Sequence, residues 1–200
     1  MLDIAEWLDE LRTLTQGADD NLLKQQLRLT VRDFARRSVT WRKEYADVNV
    51  RAGRSRYDFS RIQGGIAHIV HSVMLSGRPI PLYDNRPVTG ATGRFAYVAA
   101  PGIIHLNPEP TEDITDGLSV VVSYIPTGDK VPDEFVNMWY DAIAAGAAAR
   151  LRAIPDRPFT SYPLAQFDAR RYRALVAEAR IDANARFSKA ETGWAFPRWA

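Results

Sequence analysis

The sequence predicts an α+β fold in which helices from both chain ends form a bundle beside a central antiparallel sheet or small sandwich. Three observations carry this. Apolar residues recur at helical spacing through 3–14, 20–40, 132–154 and 164–187. Period-two alternation and turn signals occupy 44–125. At 46% apolar and 25% charged over 200 residues, the composition is that of a globular chain. One domain, 1–187, followed by an extended C-terminal arm, 188–200, is the expected organisation.

Ile4, Leu8 and Leu11, with Trp7 beside them, predict an amphipathic helix over Asp3–Leu14 that Gly17 breaks. Asp19 or Asp20 caps the second helix, whose Leu23, Leu27, Val31 and Phe34 form one stripe. Its opposite face carries Lys24, Arg28, Arg32 and Arg36. From Trp41, at the helix–strand junction, the period changes to two. Val48 and Val50 share one face, and Tyr57 and Phe59 follow a turn at Gly53. Ile69, His71, Val73 and Leu75 are expected on one face of the next strand, with His68, Val70, Ser72 and Met74 on the other.

Asp84–Gly93 is polar and reads as a surface loop. Ala100-Pro101-Gly102 predicts a hairpin between Phe95–Ala99 and Ile103–Leu106, and Leu118–Ile125 a strand buried on both faces. Helicity returns after Pro132, with Phe135, Met138, Trp139, Ala142 and Ile143 as its apolar face. The small residues around Gly146 either admit a neighbouring helix or face solvent. Pro155, Pro158 and Pro163 punctuate the linker to the last helix, where Phe167, Leu175, Val176, Ala179 and Ala183 are expected inward and Arg170, Arg171, Arg173 and Arg180 outward. The arm holds Trp194, Phe196 and Trp199 without periodicity. It folds back on its own domain or docks on a neighbour.

Net charge is +2, but the signs are segregated. Residues 1–20 hold six acids against one base, and residues 24–61 eleven bases against four acids. Residues 62–149 hold nine acids against four bases, and residues 150–200 ten bases against five acids. Such segregation suits docking to copies of itself or to a charged partner, or reflects solvated faces that differ in sign. The chain has no cysteine, which excludes thiolate chemistry and disulfides. No stretch approaches the roughly 20 apolar residues of a spanning helix. The acidic N-terminal stretch is unlike a secretory signal, so synthesis and retention in a cytoplasm are expected.

Catalytic patterns are missing: the sequence has no HExxH, GxSxG, P-loop or dinucleotide-binding glycine pattern. His68 and His71 would face opposite sides of a regular strand, which argues against a shared metal ion. Glu109, Glu112, Asp113 and Asp116 read as a solvated loop. No enzyme activity, cofactor or metal is expected.

The run Leu27–Trp41 resembles the second helix of the head-to-tail adaptors (connectors, neck proteins) of tailed bacteriophages. The similarity continues in order through Tyr57 and Phe59, Val70–Leu82, Ile104–Pro108, Pro132–Pro155, Phe167–Phe187 and Pro197-Arg198-Trp199-Ala200. This resemblance implies a virion structural protein, made in the host cytoplasm. It would form a ring of twelve copies seated on the portal protein, facing a tail or nozzle protein and passing DNA through its channel. It further implies that the arm, with Trp194, Phe196, Pro197, Arg198 and Trp199, reaches the portal. We expect Arg28, Arg32 and Arg36 in contacts between subunits or with the portal, and Asp84, Asn85 and Arg86 toward the tail. A tail terminator or another neck ring is the nearest alternative. From other classes, a DNA-binding module would show salt-sensitive duplex affinity, and a small hydrolase a deep pocket around His71 or His105.

Overall fold

The computed structural model describes residues 1–87 and 93–188. Its helices are α1 (Leu8–Leu14), α2 (Asp20–Ser38), α3 (Asp133–Asn137), α4 (Tyr140–Arg152) and α5 (Tyr162–Ser188). The strands of its first half are β1 (Leu2–Asp3), β2 (Arg42–Val50), β3 (Arg56–Asp58), β4 (Arg61–Ile62) and β5 (Gly65–Leu75). Then follow β6 (Arg78–Pro79), β7 (Leu82–Tyr83), β8 (Phe95–Ala100), β9 (Ile103–Asn107), β10 (Ile114–Pro126) and β11 (Lys130–Val131). The class is therefore α+β. One sheet has the order β2-β10-β5-β4, with β6 also on β5, and a second the order β3-β9-β8-β7. β7 runs parallel to β8, so the second sheet is mixed rather than purely antiparallel.

Two apolar cores organise the chain. The first gathers the helices: Ile4, Trp7 and Leu11 meet Leu23, Leu27 and Phe34 of α2, Phe135, α4, and Tyr172, Val176 and Ala179 of α5. Each such large side chain, fully buried, contributes on the order of 1.5–3 kcal/mol. The second core lies between the sheets: Ala67, Val70 and Val73 of β5 and Leu118, Val120 and Val122 of β10 face Ile104, Leu106 and Ala96. The Tyr124 hydroxyl donates to the Phe59 backbone carbonyl at 2.8 Å and shares a 2.7 Å hydrogen bond with Tyr45, tying the first sheet to the β3–β4 connection that leads from the second. Trp41 is half-buried and packs against both cores.

α2 follows the expected stripe. Asp19 caps it by accepting from the Leu22 N–H at 3.0 Å, and Val39, in the left-handed region at φ 50°, ends it. α4 is buried almost throughout, from Ala142 to Ala148. A Cβ on Gly146 would lie 2.6 Å from Thr30 Cγ2 and 2.8 Å from Tyr172, so glycine lets α2 and α5 close on α4. At the β8–β9 turn Gly102 has φ +74° and stands against Ala67 and the Phe59 carbonyl, where a side chain would fit neither the backbone nor the space.

Four expectations are corrected. The first helix does not span 3–14. Leu2 and Asp3 pair with Val131 and Lys130, a 3-10 turn covers Ile4–Trp7, and α1 begins only at Leu8. Backbone bonds to a distant strand, including Ile4 N–H to the Asp129 carbonyl at 2.9 Å, outweigh local helical preference. The helix expected over 132–154 breaks at Met138–Trp139, placing Trp139 in the core and leaving Met138 50% exposed. On α5 Phe167 is 63% exposed, because Asp168 takes the inward position to pair with Arg152. Finally, β5 does not alternate strictly: its pairing with β10 skips His68 and His71. Each skip is a β-bulge, so Ala67, Val70 and Val73 all face the inter-sheet core.

Candidate functional site

The two bulges turn His68 and His71 to the same side of β5, away from the inter-sheet core. There His68 lies against Arg36 at the C-terminal end of α2, and α2, α5 and Ile69 of β5 come together beside it. A groove of about 450 Å³ runs across this junction. Arg36 and Arg37 of α2 and Arg173 and Arg180 of α5 form its walls, with Val39, Ile69 and Val176 among its lining. Arg42 stands alongside, its Nε donating to the Val39 carbonyl at 2.9 Å and its guanidinium 5.0 Å from the Phe187 ring centre. Burial lowers the Arg42 pKa, and the like charge of Arg180 lowers it further.

Acid is scarce here. Asp33 accepts from the Tyr172 hydroxyl at 2.8 Å and lies 3.5 Å from Arg37 and 4.0 Å from Arg150. Arg36, Arg173 and Arg180 have no ion-pair partner among the described residues. The site is thus a concave, strongly positive surface on a partly apolar floor. Such a surface suits anions.

A second groove, about 310 Å³, adjoins it through Ile69 and is lined by His68, Asp84, Asn85 and Ala99–Pro101. Residues expected on separate surfaces, Arg36 between subunits and Asp84 and Asn85 toward a tail, therefore border neighbouring grooves. Arg86 is exposed and borders neither. Arg28 is set apart: both its Nε and Nη2 donate to Asp129, holding that carboxyl below its usual range. This pair fastens the β10–β11 connection to α2, so Arg28 already has an acidic partner within its own chain. Arg32 is exposed, with no ion pair among the described residues. Trp194, Phe196, Pro197, Arg198 and Trp199 lie outside the described residues.

The histidines divide. His105 stacks on Tyr97 with ring centres 5.2 Å apart. Burial, then the nearby Arg42 and His68, lowers the His71 pKa from 6.5 to about 4, and its Nε2 is buried without a hydrogen-bond partner. No group of three or more His, Asp or Glu side chains that could hold a metal ion occurs among the described residues. Because the depressed His71 pKa favours the neutral ring in the folded state, the unfolded chain takes up the proton first. Stability is therefore retained above about pH 6.5 and lost as pH falls toward 4, by about 1–2 kcal/mol for this half-buried group. Urea titrations at pH 7 and pH 4.5 should show that loss shrinking in His71→Gln; an equal loss in the variant contradicts it.

Another cavity, about 190 Å³, opens between the sheets, with Val50, Leu75, Phe95 and Leu106 inside and Arg94, Glu109 and Glu112 at its lining. In the adjoining loop Asp113 accepts from the Ala52 N–H at 2.7 Å, and Asn49 accepts from the Asp116 N–H at 3.0 Å. These two acidic positions shape the loop's backbone.

Periodicity showed that Arg36, Arg173 and Arg180 are outward on their own helices. It could not show that the two wet faces converge, nor that Arg37 and Arg42 join them. No helix among the described residues is long and apolar enough to cross a membrane. No protein-family model matches the chain, and no curated protein does.

Proposed function

We propose that the chain is a head-to-tail adaptor of a tailed-phage virion, a non-enzymatic ring of twelve copies joining the portal to the tail and passing DNA. In this reading the helices of both chain ends are a bundle, the paired sheets a small sandwich, and 188–200 an arm that docks on the portal. The ordered series of motifs from Leu27 to Ala200 supports the family. The observation that carries the assembly is the solvent side of α5, where Tyr162, Leu164, Phe167 and Ile181 are 57%, 48%, 63% and 70% exposed. Phe167 and Ile181 lie two heptads apart on one stripe, with Ala174 between them. That pattern suits packing against another polypeptide.

Co-sedimentation with portal rings tests the reading. The full chain should pellet with the rings, and deletion of Ser188–Ala200 should abolish that while leaving the thermal transition of the body in place. Equal recovery of the truncated chain with the rings would contradict the docking arm. Failure of the full chain to bind would contradict the adaptor role.

A further inference from the structure

We propose that the arginine groove is a subunit contact, occupied by the exposed acidic segment Asn107–Asp113 of a second copy of this chain. As a contact between ring neighbours the proposal rests on the adaptor reading. The charges that support it stand by themselves.

Arg36, Arg37, Arg173 and Arg180 line the groove and Arg42 stands beside it. Among the described residues the one carboxylate paired with any of them is Asp33, 3.5 Å from Arg37 and shared with Tyr172 and Arg150. Confined like charges of this kind call for an anionic occupant. The planar guanidinium fork matches a carboxylate or a phosphate. The floor decides between them. Val39 and Val176 are apolar, Ile69 is 41% exposed, and among the described residues the groove's own lining holds no aromatic ring, the Phe187 ring beside it being covered by Arg42. A nucleic-acid strand would find no stacking platform there, whereas a peptide can set an apolar side chain between its carboxylates.

Such a segment is present in the chain. Asp3 is paired with Lys130, Asp9 and Asp20 with Arg12, Asp129 with Arg28 and Asp133 with the N-terminus. Glu109, Glu112 and Asp113, by contrast, are three exposed carboxylates within five residues, without an ion pair among the described residues. Glu109 and Glu112 flank Pro110. They stand three residues apart in the chain, so their Cα atoms lie at most about 10 Å from one another. Arg173 and Arg180, seven helical residues apart, are separated by about 10 Å as well. The segment cannot reach the groove of its own chain. It precedes Ile114 at the start of β10, while Ile69 at the groove pairs with Ser123, about 30 Å further along the strand. Groove and segment are different surfaces, so the contact is head-to-tail and propagates until it closes.

Charge exchange tests this on the full chain by sedimentation velocity at low salt. Arg36→Glu/Arg180→Glu and Glu109→Lys/Glu112→Lys should each lose the self-association of the wild type, and their equimolar mixture should regain it, since every groove then meets an opposite charge. A labelled peptide of residues 107–113 should bind the wild type and lose affinity about tenfold or more with the arginine variant. If either double variant misfolds, Arg36→Gln/Arg180→Gln and Glu109→Gln/Glu112→Gln replace them and should weaken association in the same way. A wild type monomeric at every concentration, a glutamate variant that associates like the wild type, or a mixture that stays monomeric would overturn the contact. So would duplex DNA binding that depends on Arg36 and Arg180 while the peptide fails to bind. A chain that binds portal rings but fails the exchange loses this contact and keeps the adaptor role; the opposite outcome keeps the contact and loses the role.

Discussion

Asp168→Ala is expected to destabilise the protein by about 3–5 kcal/mol. Asp168 lies on the inner side of α5, 7% exposed, among Ala165, Tyr172 and Val176. Its carboxylate pairs with Arg152 at the end of α4, whose Nη2 also donates to the Leu14 carbonyl at 3.1 Å. One ion pair thus joins α4, α5 and the end of α1. Truncation leaves a nearly buried guanidinium with a single carbonyl partner, and that stranded charge accounts for most of the cost. Asp168→Asn, which retains an acceptor, should lose less. The double replacement Arg152→Leu/Asp168→Leu should lose less than Asp168→Ala alone, because it strands no charge. Urea unfolding at pH 7 measures all three, and a loss below about 1 kcal/mol for Asp168→Ala would show that the pair is not buried.

Trp7→Ala should cost a similar amount, about 3–5 kcal/mol. Trp7 is fully buried in the 3-10 turn, stacks on Tyr140 with ring centres 5.5 Å apart, and donates from its indole Nε1 to the Tyr140 carbonyl at 3.1 Å. The Tyr140 hydroxyl in turn donates to the Glu6 carbonyl at 3.2 Å, and burial with nearby acids pushes the phenol up to about 12. Removing the indole opens a cavity and unfastens the N-terminal segment from α4. Trp7→Phe keeps the stacking and loses the hydrogen bond, so it should fall well short of the alanine loss. Equal losses for the two variants would mean that the hydrogen bond, rather than the packed ring, holds the segment.

These two sites also mark where the sequence was readable and where it was not. α2 was largely legible, because its stripe, its cap (Asp19 of the two candidates) and its outward arginines are properties of one helix, although it ends at Ser38 rather than at residue 40. β10 and the Gly102 hairpin were legible for the same local reason. The N-terminal segment was misread because its conformation is set by a strand more than a hundred residues away. On α5 Val176, Ala179 and Ala183 lie inside as expected, but Phe167 was misplaced, because Asp168 takes the inner position to meet Arg152. The bulges at His68 and His71 follow from the register against β10 and leave no periodic trace. The candidate site inherits that difficulty. Its arginines were visible singly, but the groove exists only where two helices and a bulged strand meet.

The most direct test of the account is the native mass of the particle, measured by mass photometry with the chain alone and with portal rings added. Twelve copies of a 22.5 kDa chain give a ring of about 270 kDa. The account predicts that increment on the portal. A species that stays at the mass of one chain in both conditions would contradict it.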